Sequence, residues 1–314
     1  MLENVKTFAL AKINLGLKVK KARSDGFHNI ASIFSTVNLR DEITVSLTDE
    51  NNHQIPDECC KVDCKSEIQE NFVLPNENTF SKAYKAFCVL TGNKKGVYVK
   101  LKKRIPVGGG LGGGSSDASS FIQSLNLLFG TQLAESAQME IAGKVGSDCF
   151  FFTKSFFDSK SEDGSYAAFV EGRGEKVSKI EMRNDYFVLL LIPEVSVSTK
   201  IAYDLVDKYY SLNKSSISKE EFGKKNFTDK ELFENIYKMP IRDWKRFGLS
   251  NDFTNPIIEN YPKIKDALNA MSLAGADFID MSGSGSTIYG IFENQKKAIT
   301  AKKLLESNWK VILV

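Results

Sequence analysis

Residues 106–117 read Pro106-Val107-Gly108-Gly109-Gly110-Leu111-Gly112-Gly113-Gly114-Ser115-Ser116-Asp117. Six of the seven positions 108–114 are glycine, and so dense a run costs much backbone entropy on folding. A chain tolerates that where backbone amides must approach a ligand closely. The residues that follow are helical: Ala118, Phe121, Ile122, Leu125, Leu128 and Phe129 recur at i, i+3, i+4, i+7. Ser115 or Ser116 is the expected N-cap. A helix N-terminus offers unpaired N–H groups and partial positive charge, which together suit phosphate. Upstream, Lys94, Lys95, Lys100, Lys102, Lys103 and Arg104 occur with no acidic residue between them. They either raise the potential at the loop or form a solvated strand face. Val97, Val99 and Leu101 alternate, so a strand is expected over 96–103. Periodic apolar elements on both sides argue against a flexible linker.

The type of phosphate loop is not settled by the glycines alone. Gly108-x-Gly110-x-x-Gly113 satisfies the dinucleotide fingerprint, as any glycine-dense stretch would. That fold also wants an acidic residue about 20 positions on, at the end of a strand, whereas Glu135 lies in a helical stretch. A Walker A loop ends in Gly-Lys-Ser/Thr. Here Ser115 follows Gly114 directly, so that reading fails.

Further out, Ile13, Leu15, Leu17 and Val19 alternate with Lys12, Asn14, Gly16 and Lys18. That period of two predicts a half-buried strand over 12–19. Ser24-Asp25-Gly26 marks a turn. Strands are expected at 31–38 and 42–47, then an exposed polar loop over 48–70 with at most an edge strand. Helices are expected at 79–91 and 134–145, the second stopping at Gly146. In the second half the expected order is a strand at 186–192, a helix at 199–210 and a helix opened by the capping box Thr228-Asp229-Lys230-Glu231. A helix from Pro262 to Gly275 follows, then strand, Gly-Ser turn and strand over 277–292, a helix at 294–307 and a strand at 309–314. This order suggests a ferredoxin-like split unit. The fold class is α+β in two domains, 1–178 and 179–314.

Composition narrows the function. Of 314 residues 42% are apolar, and the formal net charge is +3, so nothing in the balance asks for nucleic acid or a membrane. The longest apolar run, Phe187 to Ile192, is far short of the ~20 residues of a membrane span. Residues 1–20 show no signal-peptide core, and a cytoplasmic protein is expected. The only histidines are His28 and His53, which excludes a histidine-rich metal site. Cys59, Cys60 and Cys64 form half of a zinc pattern with no second half, so they read as reduced thiols.

Three motifs taken together carry a resemblance. The loop at 106–116, Ala11-Lys12-Ile13-Asn14-Leu15 near the start and Met281-Ser282-Gly283-Ser284-Gly285-Ser286 near the end resemble the GHMP kinase superfamily in order and spacing. Asp25-Gly26-Phe27-His28, Gly146-Ser147-Asp148 and Asn251-Asp252-Phe253 bring the chain closest to its cytidyl-methylerythritol kinases. The resemblance implies an N-terminal ATP-binding domain, a C-terminal ferredoxin-like α/β domain and an active site in the cleft between them. It implies ATP as co-substrate and Mg²⁺, with Ser116 (or Ser115) the protein contact to the metal. Residues 106–116 would cradle the triphosphate. Asp148 would be the general base, with Lys12 holding it ionised. Asn14, Phe27, His28, Thr199, Tyr203, Gly283 and Ser284 would bind the acceptor, a small cytidine-bearing molecule. His28 would read the cytosine edge between the stacking rings of Phe27 and Tyr203. A monomer or homodimer is expected.

The residues alone leave these assignments open. Lys12 and Asn14 share a strand face that could simply be solvated. Asp148, ahead of Cys149-Phe150-Phe151-Phe152, is either a turn cap or a desolvated base. Leu10 stands where the family usually has proline, Phe27 where tyrosine is common, and Cys149-Phe150 where Val-Pro is usual. Residues 208–250 look longer than the family core needs. The competing readings are a homoserine or mevalonate kinase, an NAD-binding oxidoreductase, and a nucleotide binder without catalysis.

Overall fold

The first strand is longer and drier than its alternation suggests. In the computed structural model, which describes residues 2–51, 60–68, 72–212 and 227–314, β1 covers Asn4–Ala22 and is buried on both faces from Ala11 to Leu17. The two expected strands at 31–38 and 42–47 are one continuous strand, β2 (His28–Asn51). Residues 39–41, which separate the two expected strands, belong to it. Asp41 is fully buried and bonded to Lys103, so its carboxylate is satisfied inside the sheet and the strand runs on.

Compactness divides the chain into two units interleaved along the sequence. The first comprises Met1–Ala11, Asn38–Val107 and Gly112–Gly164; the second comprises Lys12–Val37, Gly108–Leu111 and Ser165–Val314. The division expected near residue 178 cuts the chain once in sequence order, whereas β1, β2 and the glycine loop each contribute to both units.

In the first unit, β3 (Cys60–Ser66) is the edge strand expected within 48–70. It runs parallel to β4 (Lys95–Lys103), which pairs antiparallel with residues 42–51 of β2. Helices α1 (Thr79–Thr91), α2 (Gly113–Phe129), α3 (Glu135–Val145) and α4 (Cys149–Asp158) complete it. Asn78 caps α1 through a capping box with Ser81, and Gly92 closes the helix in the left-handed region. Phe80 of α1 meets Phe121 of α2 edge-on at 5.2 Å, in a core shared with Ile43, Val45, Val97 and Val99. Helix α4 was not expected: Cys149 to Phe152 is apolar without a legible period, and it forms a helix because two of its phenylalanines and Cys149 are buried.

In the second unit, residues 30–35 of β2 pair with β5 (Ala167–Gly172), and β5 pairs with β6 (Lys176–Lys179). The C-terminal sheet has the antiparallel order β10-β7-β9-β8, built from β7 (Phe187–Ile192), β8 (Phe278–Met281), β9 (Ile288–Phe292) and β10 (Lys310–Leu313). That is the ferredoxin-like arrangement expected from the sequence, and no parallel Rossmann sheet is present among the described residues. Its helices are α5 (Thr199–Leu212), α6 (Asp229–Tyr237), α7 (Thr254–Asn260), α8 (Pro262–Leu273) and α9 (Gln295–Leu305). Thr228 and Glu231 form the expected capping box of α6. Part of the 208–250 segment, residues 213–226, lies outside the described residues, as does Cys59.

Candidate active site

The glycine loop contributes to both units, and its surroundings differ in each. In the second unit, residues 108–111 lie against two other elements. The amide of Lys12 donates to Leu111 O at 3.0 Å, and the amide of Thr287 donates to Gly109 O at 3.2 Å. Ser282 Oγ donates to Gly110 O at 2.9 Å. Gly110 has φ +76°, and a Cβ there would fall 2.0 Å from Ser282 O. Only glycine allows this approach of loop to turn. A Cβ on Gly283 would lie 3.2 Å from Gly110 O and 3.5 Å from Asn14 Oδ1. Lys12, Asn14, Gly110, Ser282 and Gly283 are therefore neighbours.

Lys12 and Asn14 share a strand face, as expected, but that face is buried: they are 2% and 0% exposed. Lys12 Nζ donates to Asn14 Oδ1 at 2.6 Å and lies 4.6 Å from the centre of the Phe34 ring. Asn14 Nδ2 donates to Ser32 Oγ at 3.2 Å, and Ser32 Oγ donates to Gly16 O at 2.6 Å. An ammonium without bulk water is thus fixed by a chain of hydrogen bonds and an aromatic face. Ser32 and Phe34 carry no motif, so reading the sequence missed them.

The second glycine turn, 282–286, is held from below by Asn251. Its Nδ2 donates to Met281 O at 2.6 Å and to Gly283 O at 2.8 Å. Buried Asp280 accepts from the Asn251 amide at 2.8 Å and from Thr254 Oγ1 at 2.5 Å. Asp252 binds Lys18 and the Val19 amide on β1. The Asn-Asp-Phe element thus anchors the turn and the first strand. Thr199 and Ser284 come together, with their hydroxyls 3.4 Å apart.

In the first unit, residues 112–116 open α2. The N-cap is Gly112 at φ +70°, with no side-chain cap, and Ser115 and Ser116 lie inside the helix. The expected serine cap is corrected: a left-handed glycine closes the loop onto the helix and leaves its first amides uncapped by any side chain. Gly146 lies beside that first turn, since a Cβ on it would be 3.9 Å from Ser115 Oγ and from Cys149 Sγ. Ser119 Oγ donates to Cys149 O at 3.1 Å. Gly146-Ser147-Asp148 is therefore seated near the first turn of α2. Asp148 takes the N-cap position of α4 but makes no side-chain cap hydrogen bond, so a capping role does not explain it. Burial pushes the Cys149 thiol up to about 12, which makes it an inert packing group.

The basic run is corrected in part. Lys103 is buried between Asp41 and Asp117, and Arg104 pairs with Glu42 and Glu67 at 2.8 Å each. These two cations are committed to carboxylates. Cys60 and Cys64 lie on edge strand β3, and burial raises the Cys64 thiol to about 11. Among the described residues no three His, Cys, Asp or Glu side chains could jointly hold a metal ion.

The expected arrangement of the acceptor aromatics differs. Tyr203 stacks on the His28 ring itself, at 4.7 Å and 18°. His28 Nε2 lies 3.0 Å from Asp207 Oδ1. Phe27 is 50% exposed, with the Arg173 guanidinium 4.0 Å from its ring centre. Asp207, one turn along α5 from Tyr203, has no sequence signal of its own.

Two family models match the chain. Residues 78–155 match the GHMP kinases N terminal domain, and residues 232–311 match the GHMP kinases C terminal domain. The chain is 35% identical over 303 residues to a 4-diphosphocytidyl-2-C-methyl-D-erythritol kinase of Thermodesulfovibrio yellowstonii, covering 96% of this chain and 94% of that one. It is 33% identical over 302 residues, with the same coverage, to the kinase of that name from Treponema pallidum. Among solved structures, a 4-(cytidine 5'-diphospho)-2C-methyl-D-erythritol kinase superposes with TM-score 0.69 at 24% identity, covering 98% of each chain. A homoserine kinase from Cytophaga hutchinsonii gives 0.66 at 18% identity, covering 100% of this chain and 94% of that one. Both structural likenesses bear on the fold.

Proposed function

Since this chain belongs to the GHMP kinases, among the 4-diphosphocytidyl-2-C-methyl-D-erythritol kinases, we propose how its residues carry out that activity. It transfers the γ-phosphoryl group of ATP to the 2-hydroxyl of 4-diphosphocytidyl-2-C-methyl-D-erythritol, giving the 2-phosphate and ADP. The product belongs to non-mevalonate isoprenoid precursor synthesis. The observation that supports the residue assignment best is the loop itself. On one side its glycines adjoin Lys12, Asn14 and the second glycine turn; on the other it opens α2 beside the Asp148 turn.

Phosphoryl transfer leaves little covalent work to the protein, so positioning and electrostatics dominate. The loop from Gly108 to Ser116 takes the triphosphate, through amides that precede that of Ser116, which already donates to Gly112 O. Asp148 accepts the proton of the 2-hydroxyl as its oxygen attacks phosphorus. Lys12, preset by Asn14 and Phe34, offsets charge on the moving phosphoryl group. Gly283, Ser284 and Thr199 line the acceptor. Phe27, His28 and Tyr203 hold the cytosine, with the imidazole of His28 oriented by Asp207 at Nε2.

Mg²⁺, when bound, supplies charge neutralisation across the phosphates. One or two protein oxygens would be enough to hold it beside the nucleotide. The hydroxyl of Ser116, with Ser115 beside it in the first turn of α2, suits that demand.

An ADP-release assay with Mg-ATP tests the reading, with cytidyl-methylerythritol, homoserine and mevalonate offered separately. Turnover with the cytidyl substrate alone is expected. Turnover with another acceptor would keep the kinase and discard the cytosine site.

A further inference from the structure

One buried group of charges plays no part in the mechanism above. Lys103, the last residue of β4, donates through Nζ to Asp41 of β2 and to Asp117 Oδ2 of α2, the latter at 2.9 Å. The three side chains are almost wholly buried, with Asp41 0%, Lys103 4% and Asp117 2% exposed. Two carboxylates share one ammonium, and Asp117 Oδ1 has no hydrogen-bond partner at all. Burying such a group is costly, and a well-packed apolar trio of the same size would serve stability as well or better. An orphaned buried acceptor adds to that cost.

The contacts of the trio show what it does instead. Asp41 Oδ1 accepts the amide of Arg104 and, at 2.8 Å, the amide of Ile105. Those two residues lead directly into Pro106. Asp117 directly follows Ser116 at the other end of the loop. A Cβ on Gly113 would lie 2.8 Å from Lys103 Nζ and 2.8 Å from Ile105 Cγ2, so the first turn of α2 sits on the lysine. The entry and exit of the loop are thus tied to one ammonium.

We propose that Lys103, Asp41 and Asp117 are positioning residues for the nucleotide: they fix both flanks of the loop 106–116 and thereby set its affinity for ATP. The proposal rests on the reading of that loop as the ATP site. It separates the trio from a merely structural group, which would change stability and leave nucleotide affinity alone.

Asp117→Leu tests it. The substitution keeps the branched heavy-atom shape, with bulkier methyl groups in place of the oxygens, leaves Lys103 paired with Asp41 and removes the tie to α2. The expected result is a folded enzyme whose KM for ATP, and whose Kd for a non-hydrolysable ATP analogue by calorimetry, rise ~10-fold or more, while kcat and the acceptor KM stay within ~3-fold. Asp117→Asn, whose amide oxygen can still accept from Lys103, is expected to restore ATP affinity to within ~3-fold of wild type. If Asp117→Leu does not melt cooperatively, Asp117→Ala makes the same cut with a smaller side chain. Wild-type ATP affinity in either folded variant overturns the proposal, as does equal loss in Asp117→Asn and Asp117→Leu. Gly110→Ala checks the underlying reading separately. If it binds the analogue as wild type does, the loop is not the ATP site. If it loses binding while Asp117→Leu does not, the loop stands and the trio is structural.

Discussion

Lys12 is an ammonium with almost no water around it, and its environment decides what it can do. Asn14 Oδ1 and the Phe34 ring hold it at little further entropic cost when a substrate arrives, as preorganised catalysis requires. Asp148 lies at a helix start without capping it. If it is the base, Asp148→Asn keeps ATP-analogue binding and loses at least ~10²-fold in kcat, on the scale of general-base contributions. Near-normal turnover would remove it from the mechanism. His28→Ala is expected to raise the acceptor KM and leave the ATP KM unchanged, because its contacts are with Tyr203 and Asp207 of α5. Steady-state kinetics with each substrate varied in turn separates the two; a change in ATP saturation alone would refute the cytosine assignment. The residues of this site that were legible in the sequence sit in contiguous motifs, where type and spacing are read together: the glycine loop, Lys12 with Asn14, Asp148, and Gly283 with Ser284. Ser32, Phe34 and Asp207 were not legible. Each is an ordinary residue that matters through a neighbour distant in sequence.

At the scale of elements, the second glycine turn shows how a short loop is made rigid. Asn251 donates to Met281 O and Gly283 O, and Asp280 in turn holds the Asn251 amide and Thr254. Asn251→Ala would strand two buried carbonyls, each costing about 1–3 kcal/mol. The expected outcome is a lower urea midpoint at unchanged m-value, together with a drop in kcat/KM for the acceptor. An unchanged midpoint would show that the turn holds itself. The same reasoning explains which elements the sequence displays. Helices α1 and α3 begin and end close to where they are expected, and α6 begins at its expected capping box, because caps and periodicity are local. Strand β2 is not visible as one element, because its continuity at Asp41 depends on Lys103 from another strand. The cap of α2 is misplaced for a related reason. Serines usually cap, but here the chain needs a left-handed Gly112 to close the loop, and the serines are carried into the helix. Helix α4 is hidden because its aromatic run is buried by tertiary packing rather than by a readable stripe.

For the whole molecule, the buried trio implies a pH dependence that surface charge does not. Burial is the largest influence on Asp117; it raises the carboxyl from 3.8 to about 7, against the pull of Lys103. Between those values the native state keeps a proton that the unfolded chain has released. Stability therefore falls as pH rises from about 4 to about 7. The groups facing Asp117 do not reverse this. Lys103 is raised above its usual value, so its contribution is complete below 10.5 and is lost only at higher pH. Cys64, pushed up to about 11 by burial, stays neutral throughout the window. Asp41, bonded to Lys103 and two amides, completes the set. At the surface, Asp25, Glu42, Glu67, Asp185 and Glu231 have lowered values. They act in the opposite sense, supporting the fold above about pH 4 and losing that support in acid, and solvent screening keeps their share small. Maximal stability is thus expected near pH 5. The melting temperature should be lower at pH 8 than at pH 5, each kcal/mol appearing as about 2–4 °C in a chain of this order of size. Asp117→Asn, which cannot titrate, should lessen that decline, leaving the share of buried Asp280, whose carboxyl is also raised by burial, and the acid limb set by the surface carboxylates. Calorimetric scans of both proteins from pH 4 to pH 8 provide the check. A variant that declines with the wild-type slope would move the titrating group away from Asp117, and a wild type that gains stability up to pH 8 would mean that Lys103 holds both carboxylates ionised.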